Sequence, residues 1–170
     1  MTGTSSLSTF IDRVSDATGR VAAWLTLAMV VISFVIVIIR YAFDSGFIWL
    51  QESLIWMHAT VFMLGAAYTL QRDEHVRVDI FYRDMTVKRR ALVNLLGVLF
   101  FIFPLCAFFL IEGFDYVRAS WEIREVSRDS GGLPYPFVPL LKSILLLMPI
   151  SVALQGLSMI LQSVSELRSK

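Results

Sequence analysis

The sequence predicts an all-α integral membrane protein with four transmembrane helices and both termini in the cytoplasm. Three observations carry this. Hydrophobic residues make up 56% of the 170 residues and charged residues 17%, an apolar share above that of ordinary globular domains. Four runs almost free of charge approach the ~20 residues that a helix needs to cross the hydrocarbon core of a bilayer. Lysine and arginine, finally, gather in the segments on one side of those runs.

The first run, 21–39, contains no charge and no strongly polar group. Arg13 and Arg20 precede it as basic residues precede a secretory leader. The run is too long for a leader's apolar region, however, and Ile38-Ile39-Arg40-Tyr41 lacks the small-residue cleavage pattern, so a retained helix is expected. The second run is placed at 50–70; within it, 53–70 carries only His58 as a side chain that can be charged near neutral pH. The third occupies 91–111. Beyond it Glu112, Asp115, Arg118, Glu122 and Arg124 continue at helical spacing, which extends the helix toward about residue 125. Gly131-Gly132-Leu133-Pro134-Tyr135-Pro136 cannot sustain a helix and separates it from the fourth run, 143–165. A membrane β-barrel would show short alternating segments instead of continuous runs. Residues 1–170 read as a single membrane domain without repeats or low-complexity tracts.

Orientation follows from the basic residues, which are retained on the cytoplasmic side. With the amino terminus inside, Arg13, Arg20, Arg72, Arg77, Arg83, Lys88, Arg89, Arg90, Arg168 and Lys170 are cytoplasmic, and Arg40, Arg118, Arg124, Arg128 and Lys142 lie opposite. The connection 40–52 is short and carries Tyr41, Phe43, Phe47 and Trp49, rings suited to the headgroup level. The connection 71–90 mixes basic and acidic residues, which dilutes its attraction for anionic lipid and favours a topology signal or a docking surface.

The chain offers little chemistry. A net charge of +1 gives no reason to expect nucleic acid as a partner. His58 and His75 are its only histidines, too few within the spans for the two axial ligands of a haem. There is no His-Glu-x-x-His metal motif and no glycine-rich phosphate loop. Cys106, the single cysteine, lies in an apolar run and reads as a core residue. The expectation is therefore a protein with no catalytic residues, no cofactor and no metal. Glu52, at the end of the second helix, can be read as an ion-linked site or as a charge paired with a neighbouring protein. Small four-helix exporters carry a working carboxylate inside the first helix, and 21–39 has none.

Two polar stripes remain. Ser151, Gln155, Ser158, Gln162 and Ser165 recur at spacings of four and three on the fourth helix, and Gln51, His58 and Gly65 recur at seven on the second, with Thr69 nearby. Lipid offers such groups no partner, so both stripes are expected to face other helices, within this chain or on another.

The segment 51–80 resembles the signature region of the DctQ-like small membrane subunits of tripartite ATP-independent periplasmic (TRAP) transporters. In that family an acid opens the second helix, a Leu-Gly-Ala-Ala element follows, and an Arg…His-x-x-Val-Asp pattern lies just past the membrane. Here these are Glu52, Leu64-Gly65-Ala66-Ala67, Arg72, His75, Val78 and Asp79. Gln51 stands where members can carry a second acid. Gly131-Gly132-Leu133-Pro134 before a helix bearing Lys142 also resembles a subgroup of the family. Helix number, loop order and length agree over roughly residues 20–165.

The resemblance implies a large membrane subunit as partner, carrying the substrate and sodium sites. It also implies a periplasmic binding protein that delivers the solute, and a scaffold role for the small subunit in the bacterial inner membrane. The implied solute is small, with an organic acid the family-level choice. The partner-interface candidates are Gln51, Glu52, His58, Gly65, Arg72, His75, Asp79, Ser151, Gln155, Ser158 and Gln162. The alternative is an autonomous exporter or an assembly factor of another membrane complex.

Overall fold

The computed structural model describes residues 6–72, 82 and 84–168. Its regular structure among these residues is entirely helical. Helix α1 runs Ser6–Ala42, α2 Ile48–Gln71, α3 Val87–Gly97, α4 Phe103–Glu122 and α5 Phe137–Arg168. A π-helical segment, Val98–Ile102, joins α3 to α4, so that Val87–Glu122 forms one long element and the described residues contain four helices long and apolar enough to cross a membrane.

Helix α1 begins well before the apolar run at 21–39. Ser8, Ile11, Ser15 and Ala22, at spacings of three, four and seven, are its buried residues. A helix needs only a continuous hydrogen-bond ladder and one stripe that can pack, so Asp12, Arg13, Asp16 and Arg20 do not interrupt it. The α3–α4 element contains Pro104 in the first turn of α4. Proline has no N–H for the carbonyl four residues back, and the preceding π-helical turn absorbs that loss by bonding the Phe103 N–H to the Val98 carbonyl. Pro149 lies buried inside α5.

Helix α5 touches each of the other long elements and is the most buried of them, while α1 packs chiefly on α2. The four long elements alternate in direction, so Ser6 and Arg168, the first and last described residues, lie toward one end of the bundle. At the opposite end, α4 stops at Glu122 because Arg124 takes a left-handed conformation with φ 51°. The Arg124 and Glu125 N–H groups then cap the carbonyls of Trp121 and Ser120 at 3.2 and 3.0 Å. Gly131, with φ 84°, turns the chain back, and its carbonyl accepts the Trp49 N–H at 3.2 Å. The start of α2 is thereby stitched to the α4–α5 connection.

Candidate functional site

Polar side chains form two clusters, one toward each end of the bundle. On the side of Ser6 and Arg168, the middle of α5 presents Gln155 and Ser158, 1% and 0% exposed, to the extension of α1. The Gln155 amide donates to Asp12 Oδ1 at 3.0 Å and accepts from the Ser15 hydroxyl at 2.8 Å. Ser158 donates to the same Asp12 oxygen at 2.9 Å. Gln162 makes longer bonds to Asp12 Oδ2 and Ser158, 3.4 and 3.3 Å. The Gln71 amide of α2 donates to the Asp12 carbonyl at 3.0 Å. Three helices thus converge on one aspartate, whose carboxylate strengthens each bond it accepts. Next to it Arg72 pairs with Asp16 at 2.9 Å and lies over the Tyr68 ring.

At the opposite end, Glu52 binds the α4–α5 connection back onto α2. One carboxylate oxygen accepts the Ser127 hydroxyl, and the other accepts the Leu133 N–H at 2.6 Å. A Cβ on Gly132 would stand 2.7 Å from the Glu52 oxygen and 2.6 Å from Ser127 Cβ, so this tie requires glycine there. Trp56 adds a bond to the Phe137 carbonyl at 3.2 Å. Glu125 accepts from Lys142 and Ser120, both at 2.6 Å, and Lys142 lies 4.1 Å above the Tyr116 ring. The bond from Lys142 and then that from Ser120 hold the Glu125 carboxyl below the usual carboxylate range.

The sequence candidates divide accordingly. Gln155, Ser158 and Gln162 are engaged with α1, and the Ser151 hydroxyl turns back on its own helix, to the Met148 carbonyl at 2.8 Å. Glu52 is engaged with the α4–α5 connection, and Arg72 with Asp16. Gln51 and His58 are exposed on α2, and nothing lies within 4 Å of the place a Gly65 Cβ would occupy. His75 and Asp79 lie outside the described residues. Sequence reasoning missed Asp12, Ser15, Ser127 and the Glu125–Lys142 pair. The small-residue stripe Ser8-Ile11-Ser15-Ala22 was the available signal for the first two; nothing local marks Ser127. Among the described residues no three His, Cys, Asp or Glu side chains converge as a metal site would require.

A bundle of four apolar elements, with the buried Gln155, Ser158 and Ser15 joining helix to helix through Asp12 and one another, defines a small multi-pass membrane protein. Residues 29–169 match the family described as tripartite ATP-independent periplasmic transporters, DctQ component. The chain belongs to that family of small TRAP transporter subunits, multi-pass proteins of the bacterial inner membrane. Over 93 residues it is 28% identical to the C4-dicarboxylate TRAP transporter small permease protein DctQ of Vibrio cholerae serotype O1, a match that covers 52% of this chain and 40% of that protein. The chain thus spans less than half of that relative's length in the match. No solved structure is significantly similar to it.

Proposed function

We propose that this chain is the non-catalytic small subunit of a sodium-coupled TRAP transporter. In this reading it is a scaffold for the large permease subunit during uptake of a small organic acid that a periplasmic binding protein delivers. The observation that carries this reading is the use made of the buried polar groups. Asp12, Ser15, Gln155 and Ser158 satisfy one another across α1 and α5, which stiffens a bundle. Transport by a lone chain would instead call for ionisable groups at mid-membrane depth. Within the four apolar runs His58 is the side chain that answers to that description, and a single imidazole on an outward face makes no coordination shell; Asp12, which meets Gln155 and Ser158 midway along the fourth run, is spent on the bonds that join α1 to α5. Membership of the DctQ family supplies the tripartite setting, and the Vibrio relative named for C4-dicarboxylates supports an acid as the solute.

Proteoliposomes test this. The chain alone should take up no labelled dicarboxylate. Together with its large subunit and binding protein it should do so under an inward sodium gradient, and uptake should stop when potassium replaces sodium. Uptake by the chain alone would overturn the subunit reading, and uptake indifferent to sodium would overturn the coupling.

A further inference from the structure

The outward faces of the helices are not alike. Helix α1 turns Trp24, Leu27, Val30 and Phe34 outward, and α4 turns Leu105, Phe108 and Ile111; these apolar faces suit lipid tails. Helix α2 turns out Gln51, Ile55, His58 and Phe62, at spacings of four, three and four along one side. Ile55 is 63% exposed and Phe62 71%. His58 lies six residues from Glu52, about 9 Å along the helix axis and hence within the apolar layer. A lipid tail gives an imidazole no hydrogen-bond partner, whereas a neighbouring helix can.

Beside this stripe a cavity of about 170 Å³ opens, with Glu52, Ile55, Trp56, Phe137 and Leu141 among its walls. Among the described residues Glu52 accepts from neutral donors, the Ser127 hydroxyl and the Leu133 N–H. The ion pairs formed among the described residues at this end are Lys142 with Glu125 and Arg118 with Glu122, and none includes Glu52. The acid is therefore without a counter-charge among the described residues, and a carboxylate has room for further donors.

We propose that this face of α2 and the adjoining cavity seat a transmembrane helix of the large subunit, which carries a lysine or arginine level with Glu52 and sends an apolar side chain into the cavity walled by Ile55, Trp56 and Phe137. The proposal rests on the subunit reading given above. Charge complementarity selects a basic occupant. His58 and Gln51 select protein over phospholipid, because an ammonium headgroup could answer Glu52 but no acyl chain could answer an imidazole.

The test is photocrosslinking in cells that express both subunits, with p-benzoylphenylalanine in place of Ile55, Phe62, Leu27 or Phe108. Positions 55 and 62 should give an adduct with the large subunit, and 27 and 108 should give none. In the Ile55 background, Glu52→Lys should cut adduct yield at least tenfold. Ser127→Ala, which loosens the connection yet keeps the carboxylate, should leave the yield within twofold. If the subunits co-purify but adducts arise only from 27 or 108, the assigned face is wrong. If Ser127→Ala lowers the yield as far as Glu52→Lys does, Glu52 serves the connection alone and the charge pairing falls. If positions 55 and 62 capture phospholipid and no protein, the seat holds lipid and the proposal fails. Failure of the subunits to co-purify at all would overturn the subunit reading itself, and so is distinct from these outcomes.

Discussion

Gln155 uses both ends of its amide, giving a hydrogen to Asp12 and taking one from Ser15. Interhelical hydrogen bonds in membranes are worth roughly 0.6 to 2 kcal/mol each. Gln155→Leu should therefore lower stability by about 1 to 3 kcal/mol, read as a lower thermal midpoint of the purified subunit in detergent, because it leaves the Ser15 hydroxyl unpaired and removes a donor from Asp12. Leu157→Ile, a volume-conserving change, should cost less than about 1.5 kcal/mol. Equal midpoints for the two variants would show that the Asp12 network contributes nothing. Glu125 makes a second prediction. Its carboxyl titrates lower in the folded chain than in the unfolded one. The tie to Lys142 thus adds stability above the ordinary carboxylate range and loses it as the pH falls through the lowered value. Amide-exchange protection of residues 123–136, corrected for intrinsic rates, should drop as the pH is taken from neutral to about 3. In Lys142→Met the same drop should come at higher pH. Gly132→Ala should lower that protection at every pH, because its Cβ cannot coexist with the Glu52 tie.

Element boundaries were legible where composition changes sharply and hidden where it does not. The outer boundary of α2 and the break near Gly131 could be read from charge and from glycine with proline. The first fifteen residues of α1 could not, because their inward stripe is two serines and an isoleucine while their flanks carry charge. A hydropathy scan weighs both sides of a helix equally and so scores such a segment as loop; only a neighbour such as α5 reveals which side is buried. The π-helical turn before Pro104 was likewise invisible, since proline signals a lost bond but not how the backbone absorbs it. Deletion of residues 2–17 should therefore destabilise the subunit at least as much as Gln155→Leu does, since it removes Asp12 and Ser15 together. Thermal unfolding followed by helical circular dichroism would check this. An unchanged midpoint would make the extension dispensable.

At the scale of the molecule, four long elements that alternate in direction bring Ser6 and Arg168 toward one end, and the excess of basic residues in the segments on that side proposes which side of the membrane it occupies. Alkaline phosphatase fused after residue 130 should be active and one fused after residue 80 inactive, with a cytoplasmic reporter giving the reverse. The same readout at both positions would break the helix map, and activity at residue 80 would invert it. The open α2 face belongs to this scale too. The stripe Gln51, His58 and Gly65 was expected to face a helix, within this chain or on another, and among the described residues no helix covers it, whereas the stripe containing Gln155 and Ser158 is taken up by α1.

The sequence by itself determined the class of the protein, its number of membrane-crossing helices and its family. These follow from summed properties, apolar length and a local signature around Glu52 and Asp79, which need no knowledge of neighbours. Only the tertiary structure decided what each polar group does. Gln155 meets Asp12 across 143 residues of sequence, and Glu52 meets Leu133 across 81. Such pairings depend on how helices are rotated and staggered against one another, which periodicity narrows to a face but cannot assign to a partner.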